Sequence, residues 1–341
     1  MSDQLRMSYD VVVVGGGAAG LSGALMLGRS RRRVVVIDSG APRNAPAAGV
    51  HGFLSRDGMS PAELLATGRA EVRRYGGQVV DGEVAAAARD GEGFTVDLAD
   101  GRSVRARRLL VTTGLTDELP DVPGLAARWG RDVVHCPYCH GWEVRDRAIG
   151  VLTSGPMSPH QALLFRQLSE DVTYFSHISP PPAGEEAEQL AARGIRVVTG
   201  AVAALEIADD RITGIRLRDG RVVPRQVVAV ATRMTARAAF LGTLGLGPTA
   251  HPAGMGEHVA TGPAGLTGVP GIWAAGNVTD LTAQVGAAAA AGALAGAAIN
   301  ADLVAEDTRQ AVAAYREPFG AASEARMSDL AMGDRRHGVS P

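Results

Sequence analysis

Apolar residues in this chain gather in short unbroken runs, each closed by glycine or a polar turn, the pattern of strands buried on both faces. Residues 9–14 form the first run and predict a buried strand. A glycine-rich turn at 15–20 follows, then a helix over 21–29 and a second strand over 34–37 that stops at Asp38. Farther on, 94–98 and 103–106 flank Asp100-Gly101, a hairpin signal. The run 109–113 then predicts a returning buried strand that ends at Gly114.

The same order recurs downstream. Residues 149–152 predict a strand, 158–168 a helix and 172–175 a second strand. Residues 215–217 and 222–223 flank Asp219-Gly220, and 227–231 repeat the returning strand. Two such units are what a pair of dinucleotide-binding domains of similar topology leaves behind. Proline-containing crossings at 119–124 and 247–252 suit linkers. The predicted class is α/β, with two Rossmann-like domains and the second inserted into the first. Residues 1–117 and 249–341 form one, 118–248 form the other, and disorder is expected beyond Gly333.

Composition narrows this picture. A length of 341 residues exceeds one typical core and suits two α/β domains. Hydrophobic content of 46% against 4% aromatic implies cores built from Ala, Val and Leu. A formal charge of -2, without a single lysine, supplies no basic patch for nucleic acid. Residues 1–10 carry no basic-then-apolar signal segment, so a cytoplasmic location is expected. The run 285–299 contains only Val, Gly, Ala, Leu and Ile. It falls short of the about 18–20 residues of a membrane span, and a buried helix is the reading adopted. Gly292 and Gly296 in it would let another backbone or a flat ligand come close.

Gly15-Gly16-Gly17-Ala18-Ala19-Gly20 satisfies G-x-G-x-x-G between a strand and a helix, with Asp38 closing the second strand. Glycines there let the backbone approach a pyrophosphate, whose charge the helix N-terminus stabilises. Asp38 would accept hydrogen bonds from an adenosine ribose. A glycine turn without a ligand is the bland alternative, and these residues alone do not separate FAD from NAD. The segment Ile272-Trp273-Ala274-Ala275-Gly276-Asn277-Val278 runs from a strand into a turn before the Ala-rich helix. A second close-approach site so far along the chain suits an extended ligand such as FAD, its flavin against that helix with Gln284 and Val285 nearest.

The two cysteines lie in His135-Cys136-Pro137-Tyr138-Cys139-His140. Two intervening residues can hold both sulfurs within disulfide range, and such pairs often have depressed thiol pKa values. His140 can take a proton from a thiol or stabilise a thiolate. Cys-x-x-Cys-His is also the c-type haem attachment signature, which normally requires export. A structural zinc site needs four ligands, and no second Cys pair exists. Two inert buried cysteines are the blandest reading. Redox chemistry without a metal is carried forward.

Over nearly its whole length the sequence resembles the low-molecular-weight thioredoxin reductase family, through GGGAAG, the VTTG turn at 111–114, the inserted CxxC domain and AAGNVTD. More narrowly, CPYCHGWE and HGFLSRDG resemble the branch of FAD-dependent dithiol oxidases that close disulfides in gliotoxin, holomycin and romidepsin. The resemblance implies FAD contacts at Gly15, Gly17, Ala18, Ala19, Gly20, Asp38, Ser39, Asn44, His51, Thr113, Gly114, Gly276, Asn277, Gln284 and Val285, and a homodimer. It also implies that Cys139 faces the flavin, Cys136 exchanges with substrate and His140, where reductases usually carry Asp, is the acid/base. Asn277 stands where the family usually has Asp beside the ribityl chain, and His51 where it often has Asn.

The insert departs from a nicotinamide-binding pattern. A Gly-rich loop is due after Leu152, yet the residues are Thr153-Ser154-Gly155-Pro156-Met157-Ser158-Pro159. Two prolines remove backbone donors there. After Phe175 come Ser176 and His177, where the reductases carry a His-Arg-Arg cluster for the NADPH 2′-phosphate, and Glu185, Glu186 and Glu188 follow. The activity expected is oxidation of a small-molecule dithiol, with oxygen reduced to hydrogen peroxide. A reductase of thioredoxin-like proteins and a flavoprotein redox sensor are the alternatives.

Overall fold

The first apolar run folds as β1 (Ser8–Val14), and the glycine turn after it delivers α1 (Ala18–Arg29). In the computed structural model, which describes residues 5–316 together with 324, 325, 327 and 328, β2 (Val34–Asp38) lies parallel to β1. The stretch beyond Gly333, where disorder was expected, lies outside the described residues. α2 (Pro61–Arg74) starts at Ser60, whose hydroxyl accepts from the Glu63 N–H at 3.2 Å. β3 (Gln78–Asp81), β4 (Val84–Asp90), β5 (Gly93–Leu98) and β6 (Ser103–Val111) follow. The two strands expected at 103–106 and 109–113 are one. β6 pairs with β1 from Arg105 to Val111, and that continuous ladder carries Arg107 and Arg108 through without a break. Their guanidinium groups find carboxylates at Asp10, Asp302, Glu306 and Asp307.

β7 (Leu115–Glu118) leads out into the second unit. There α3 (Leu125–Arg128), β8 (Val133–Val134), α4 (Pro137–His140), β9 (Ile149–Leu152), α5 (Ser158–Phe165), β10 (Val172–Phe175), α6 (Gly184–Ala192) and β11 (Arg196–Val198) come in order. A hairpin sheet of β12 (Val202–Ala208), β13 (Arg211–Leu217) and β14 (Val222–Val223) precedes β15 (Val227–Val230). The parallel sheet runs β11-β10-β9-β15-β8, so β8 hands the chain to α4 at one sheet edge.

β16 (Arg233–Ala236) returns antiparallel to β7, and β17 (Thr249–Ala250) and β18 (Gly256–His258) complete that small sheet. Ala236, Ala238, Leu241 and Leu246 lie on the insert side of the expected boundary at 248, yet they are buried with Val12, Phe94 and Leu109. β19 (Ile272–Ala274) then joins the end of β6, extending the parallel set to β3-β2-β1-β6-β19 with β5 and β4 alongside.

The Ala-rich run opens α7 (Val285–Arg316), a helix of 32 residues that is long and apolar enough to cross a membrane by length and composition. It continues past the apolar run, and there Asp302, Glu306 and Asp307 pair with Arg32, Arg107 and Arg108. It is buried along one face rather than all round. Gly292 and Gly296 on that face meet α1 backbone to backbone: a Cβ would come 1.9 Å from Ala19 O at the first and 2.6 Å from Gly23 O at the second. Only hydrogen fits there.

Candidate functional site

A cavity of about 1310 Å³ runs from the β1–α1 turn, past the start of α7, to the Cys136–Cys139 pair on the second unit. Pockets for one drug-sized ligand hold roughly 300–1,000 Å³. This one has room for an extended cofactor and a second molecule.

The glycines of the first turn divide by what requires them. Gly15 has φ 102°, and a Cβ there would lie 2.5 Å from Thr112 O. At Gly20 it would lie 1.9 Å from Gly15 O, so this residue packs α1 under the turn and does not line the cavity. At Gly16 it would meet the Asp38 side chain at 2.8 Å. Gly17 differs: its φ of -77° is open to any residue, and no described atom lies within 4 Å of its Cβ position. Nothing in the protein demands glycine there; the cavity does. Ala18 and Ala19, at the start of α1, line the same end.

Asp38 closes β2 beside this turn and accepts from the Gly16 N–H at 3.1 Å, with Arg69 as its ionic partner. Ser39 and Asn44 line the cavity beyond it. Thr113 and Gly114, at the end of β6, contribute another wall, with the Thr113 hydroxyl donating to Arg237 O at 2.5 Å. Farther along the chain Gly276 (φ 80°), Asn277, Gln284 and Val285 also line it and lead into α7. The Asn277 amide donates to Asp280 O at 3.0 Å and to Ala283 O at 2.9 Å. Its nitrogen is thereby committed, and Oδ1 remains as the acceptor for a ligand.

Cys136 and Cys139 are joined as a disulfide, their Cα atoms 5.2 Å apart, at the start of α4. The Cys139 N–H donates to Cys136 Sγ at 3.2 Å. His140 follows directly. Burial, opposed by Glu143 and reinforced by His51, lowers its pKa below the ordinary histidine value. His51 therefore does more than its expected place as a cofactor contact. It lines the cavity, but its Nε2 lies 3.4 Å from Glu143 Oε1 and its Nδ1 3.6 Å from Asp57 Oδ1. The Val50–Met59 bridge holds this loop over α7, where Phe53 approaches Gly286.

Several lining residues carry no motif and escaped the sequence reading. Arg43 pairs bidentately with buried Asp117 at 2.6 and 2.7 Å. Burial raises the Asp117 pKa, but the Arg43 pair outweighs it and the net direction is down. His135 points its Nδ1 at Val230 O at 3.2 Å, and burial first, then Arg43, lowers its pKa. Gln161 reaches in from α5.

Residues 9–295 match the family model described as pyridine nucleotide-disulphide oxidoreductase. The chain belongs to that family. Among relatives, "Thioredoxin reductase tcpT" of Claviceps purpurea (strain 20.1) is 33% identical over 87% of this chain and 95% of its own. "Thioredoxin reductase sirT" of Leptosphaeria maculans is 30% identical over 86% and 93%. Among solved structures, HlmI is 48% identical with a TM-score of 0.86, covering 92% of this chain and 98% of its own. This pyridine nucleotide-disulphide oxidoreductase is a thioredoxin reductase-like flavoprotein, and its cofactor is FAD. The residues fit the group. Gly17 leaves a cradle that a side chain would fill, and Asp38 and Asn277 present acceptors along a long cavity.

Proposed function

We propose that the protein is an FAD-dependent dithiol oxidase. It closes the disulfide of a small natural-product dithiol, as in antibiotic biosynthesis, with oxygen reduced to hydrogen peroxide, and it works as a cytoplasmic homodimer. The observation that carries this reading is the loop after β9, where a nicotinamide-binding copy presents free backbone donors to a pyrophosphate. Here the Ser158 N–H at the start of α5 goes to Gly155 O at 3.1 Å. Pro156 and Pro159 have none to give. Beyond β10, Ser176 is buried and His177 Nδ1 accepts from the Val202 N–H at 3.0 Å.

In the chemistry proposed, a substrate thiolate attacks Cys136 Sγ and the bond to Cys139 breaks, leaving Cys139 as thiolate. The second substrate thiolate attacks the substrate sulfur of this mixed disulfide, and Cys136 leaves as the product ring closes. His140, kept neutral by burial, takes the thiol proton and returns it to the leaving cysteine. Gly15, Gly17, Ala18 and Ala19 would hold the cofactor's pyrophosphate, Asp38 its ribose, and Asn277, Gln284 and Val285 its flavin end. When bound, FAD supplies acceptance of two electrons from the reduced pair and their passage to oxygen. The sum is one dithiol and one O₂ giving one disulfide and one H₂O₂.

Arg218 favours a second reading. After burial, its charge is the cause that lowers the His177 pKa, so a cation acts on the segment that follows β10. A reductase of thioredoxin-like proteins drawing on NADPH would use it, in keeping with the relatives' names. Oxygen uptake with dithiothreitol tests the oxidase reading. Turnover with equal peroxide supports it, and flavin-loaded protein that takes up no oxygen removes it.

A further inference from the structure

The chain passes between the two units at β7 and β16, which lie antiparallel with Asp117 opposite Met234. Among the described residues, the large buried apolar clusters lie within one unit or the other. At the crossing only Leu115, Met234 and Leu281 are buried together. Units joined in this way, without a large hydrophobic interface, move relative to each other by default. Something else has to orient them.

Arg43, on the loop after β2 that lines the cavity, grips the crossing. Its Nε and Nη2 donate to the two Asp117 oxygens at 2.6 and 2.7 Å, and Nη2 also approaches Met234 Sδ at 3.7 Å. The Thr232 hydroxyl donates to Asp117 Oδ1 at 2.6 Å. The Asp117 side chain is only 6% exposed, so these charge-assisted bonds are shielded from water and strong. The same loop meets the second unit again at Pro46 and His51. Pro46 packs on Gly130, where a Cβ would come 2.6 Å from the proline Cβ, and His51 Nε2 lies 3.4 Å from Glu143 Oε1. Gly130 stands just ahead of β8, the strand that hands the chain to the cysteine pair. The charges of Arg43 and Asp117 both act on His135, the residue before Cys136.

We propose that Arg43 is a positioning residue: its clamp on Asp117 and Thr232 fixes the second unit in the orientation that turns the Cys136–Cys139 pair to the flavin. Arg43 itself makes and breaks no bond in the reaction. Passage of electrons from the pair depends on the clamp, because a misplacement of about 1 Å at a reacting centre can cost roughly 10²-fold in rate. The proposal goes beyond the oxidase reading and rests on it only for which cysteine faces the flavin.

The test needs neither oxygen nor substrate, so its failure is separable from that of the oxidase reading. It uses the long-wavelength thiolate–flavin absorption of flavin-loaded Cys136→Ser protein, measured per bound flavin. If Cys139→Ser shows the band instead, the comparison moves to that protein. Arg43→Met in this background removes two charge-assisted hydrogen bonds, shifting the balance of docked against displaced units by roughly 10²–10⁴-fold. The band should fall several-fold, and Arg43→Lys, which keeps the cation, should retain more of it. Thr232→Val removes one arm of the clamp without changing a charge. Thr232 does not line the cavity, so this variant should keep its flavin while the band weakens. Each spectrum is read again near about pH 10, above the ordinary thiol pKa. A loss that persists there is one of position. A band that high pH restores in full overturns the proposal, since Arg43 would then control ionisation of the cysteine and not its place. A full band in both Arg43→Met and Thr232→Val at equal flavin content also overturns it. So does a band in neither single-cysteine protein, which would leave no sulfur at the flavin to be positioned.

Discussion

The Cys139 N–H donates to the sulfur of Cys136 at 3.2 Å. When the pair is reduced, the same donor favours the thiolate at Cys136, the form that attacks and leaves fastest in exchange. The two cysteines are therefore unequal. Cys136→Ser should leave a free Cys139 beside the cofactor and produce a long-wavelength thiolate–flavin absorption. Cys139→Ser should not. The reverse pattern in the visible spectra would exchange the roles.

Gly17 and Gly20 separate cofactor binding from folding. Gly17→Val places its side chain where no described atom lies within 4 Å. The variant should fold with an unchanged circular dichroism spectrum and carry no yellow flavin band. Gly20→Val would drive a Cβ to 1.9 Å from Gly15 O, and its melting temperature should fall, with a loss of about 1–3 kcal/mol or more from overpacking. Full flavin content in a folded Gly17→Val protein would contradict the placement of the pyrophosphate.

His140 should set the acid side of the pH profile. Burial, partly offset by Glu143, moves its pKa down, so the neutral base predominates at neutral pH and is lost only as pH falls through that lowered value. Below it the imidazolium cannot accept a thiol proton. The kcat/KM for dithiol oxidation should therefore rise with pH through a point below about 6.5. His140→Ala should abolish that limb and slow oxidation roughly 10²–10⁴-fold while FAD stays bound. An unchanged rate would reduce His140 to a structural residue.

The first βαβ unit was legible because buried parallel strands leave unbroken runs and tight turns leave glycines, both visible in β1, α1 and β2. The CxxC pair was visible for the same reason: its chemistry is local. What sequence could not give came from residues brought together by topology. Arg43 and Asp117 are 74 positions apart and carry no spacing signal. Gln161 reaches His135 across two strand–helix connections. Arg107 and Arg108 look like a strand break until β1 is laid beside them. The small residues of α7 hinted at close approach, but only the packing shows that Ala19 and Gly23 of α1 are the partners.

Nucleotide use is the most direct test of the central claim. The loop after β9 spends the Ser158 N–H on Gly155 O and carries Pro156 and Pro159, and no arginine follows β10 in sequence before Arg193. Losing two charge-assisted hydrogen bonds to a phosphate, at about 1.5–3 kcal/mol each, weakens binding by roughly 10²–10⁴-fold. Anaerobic mixing of the flavin-loaded protein with stoichiometric NADPH or NADH should leave the flavin absorption intact, while a small dithiol bleaches it and air restores it. Bleaching by NADPH within seconds would contradict the oxidase account and establish the reductase in its place.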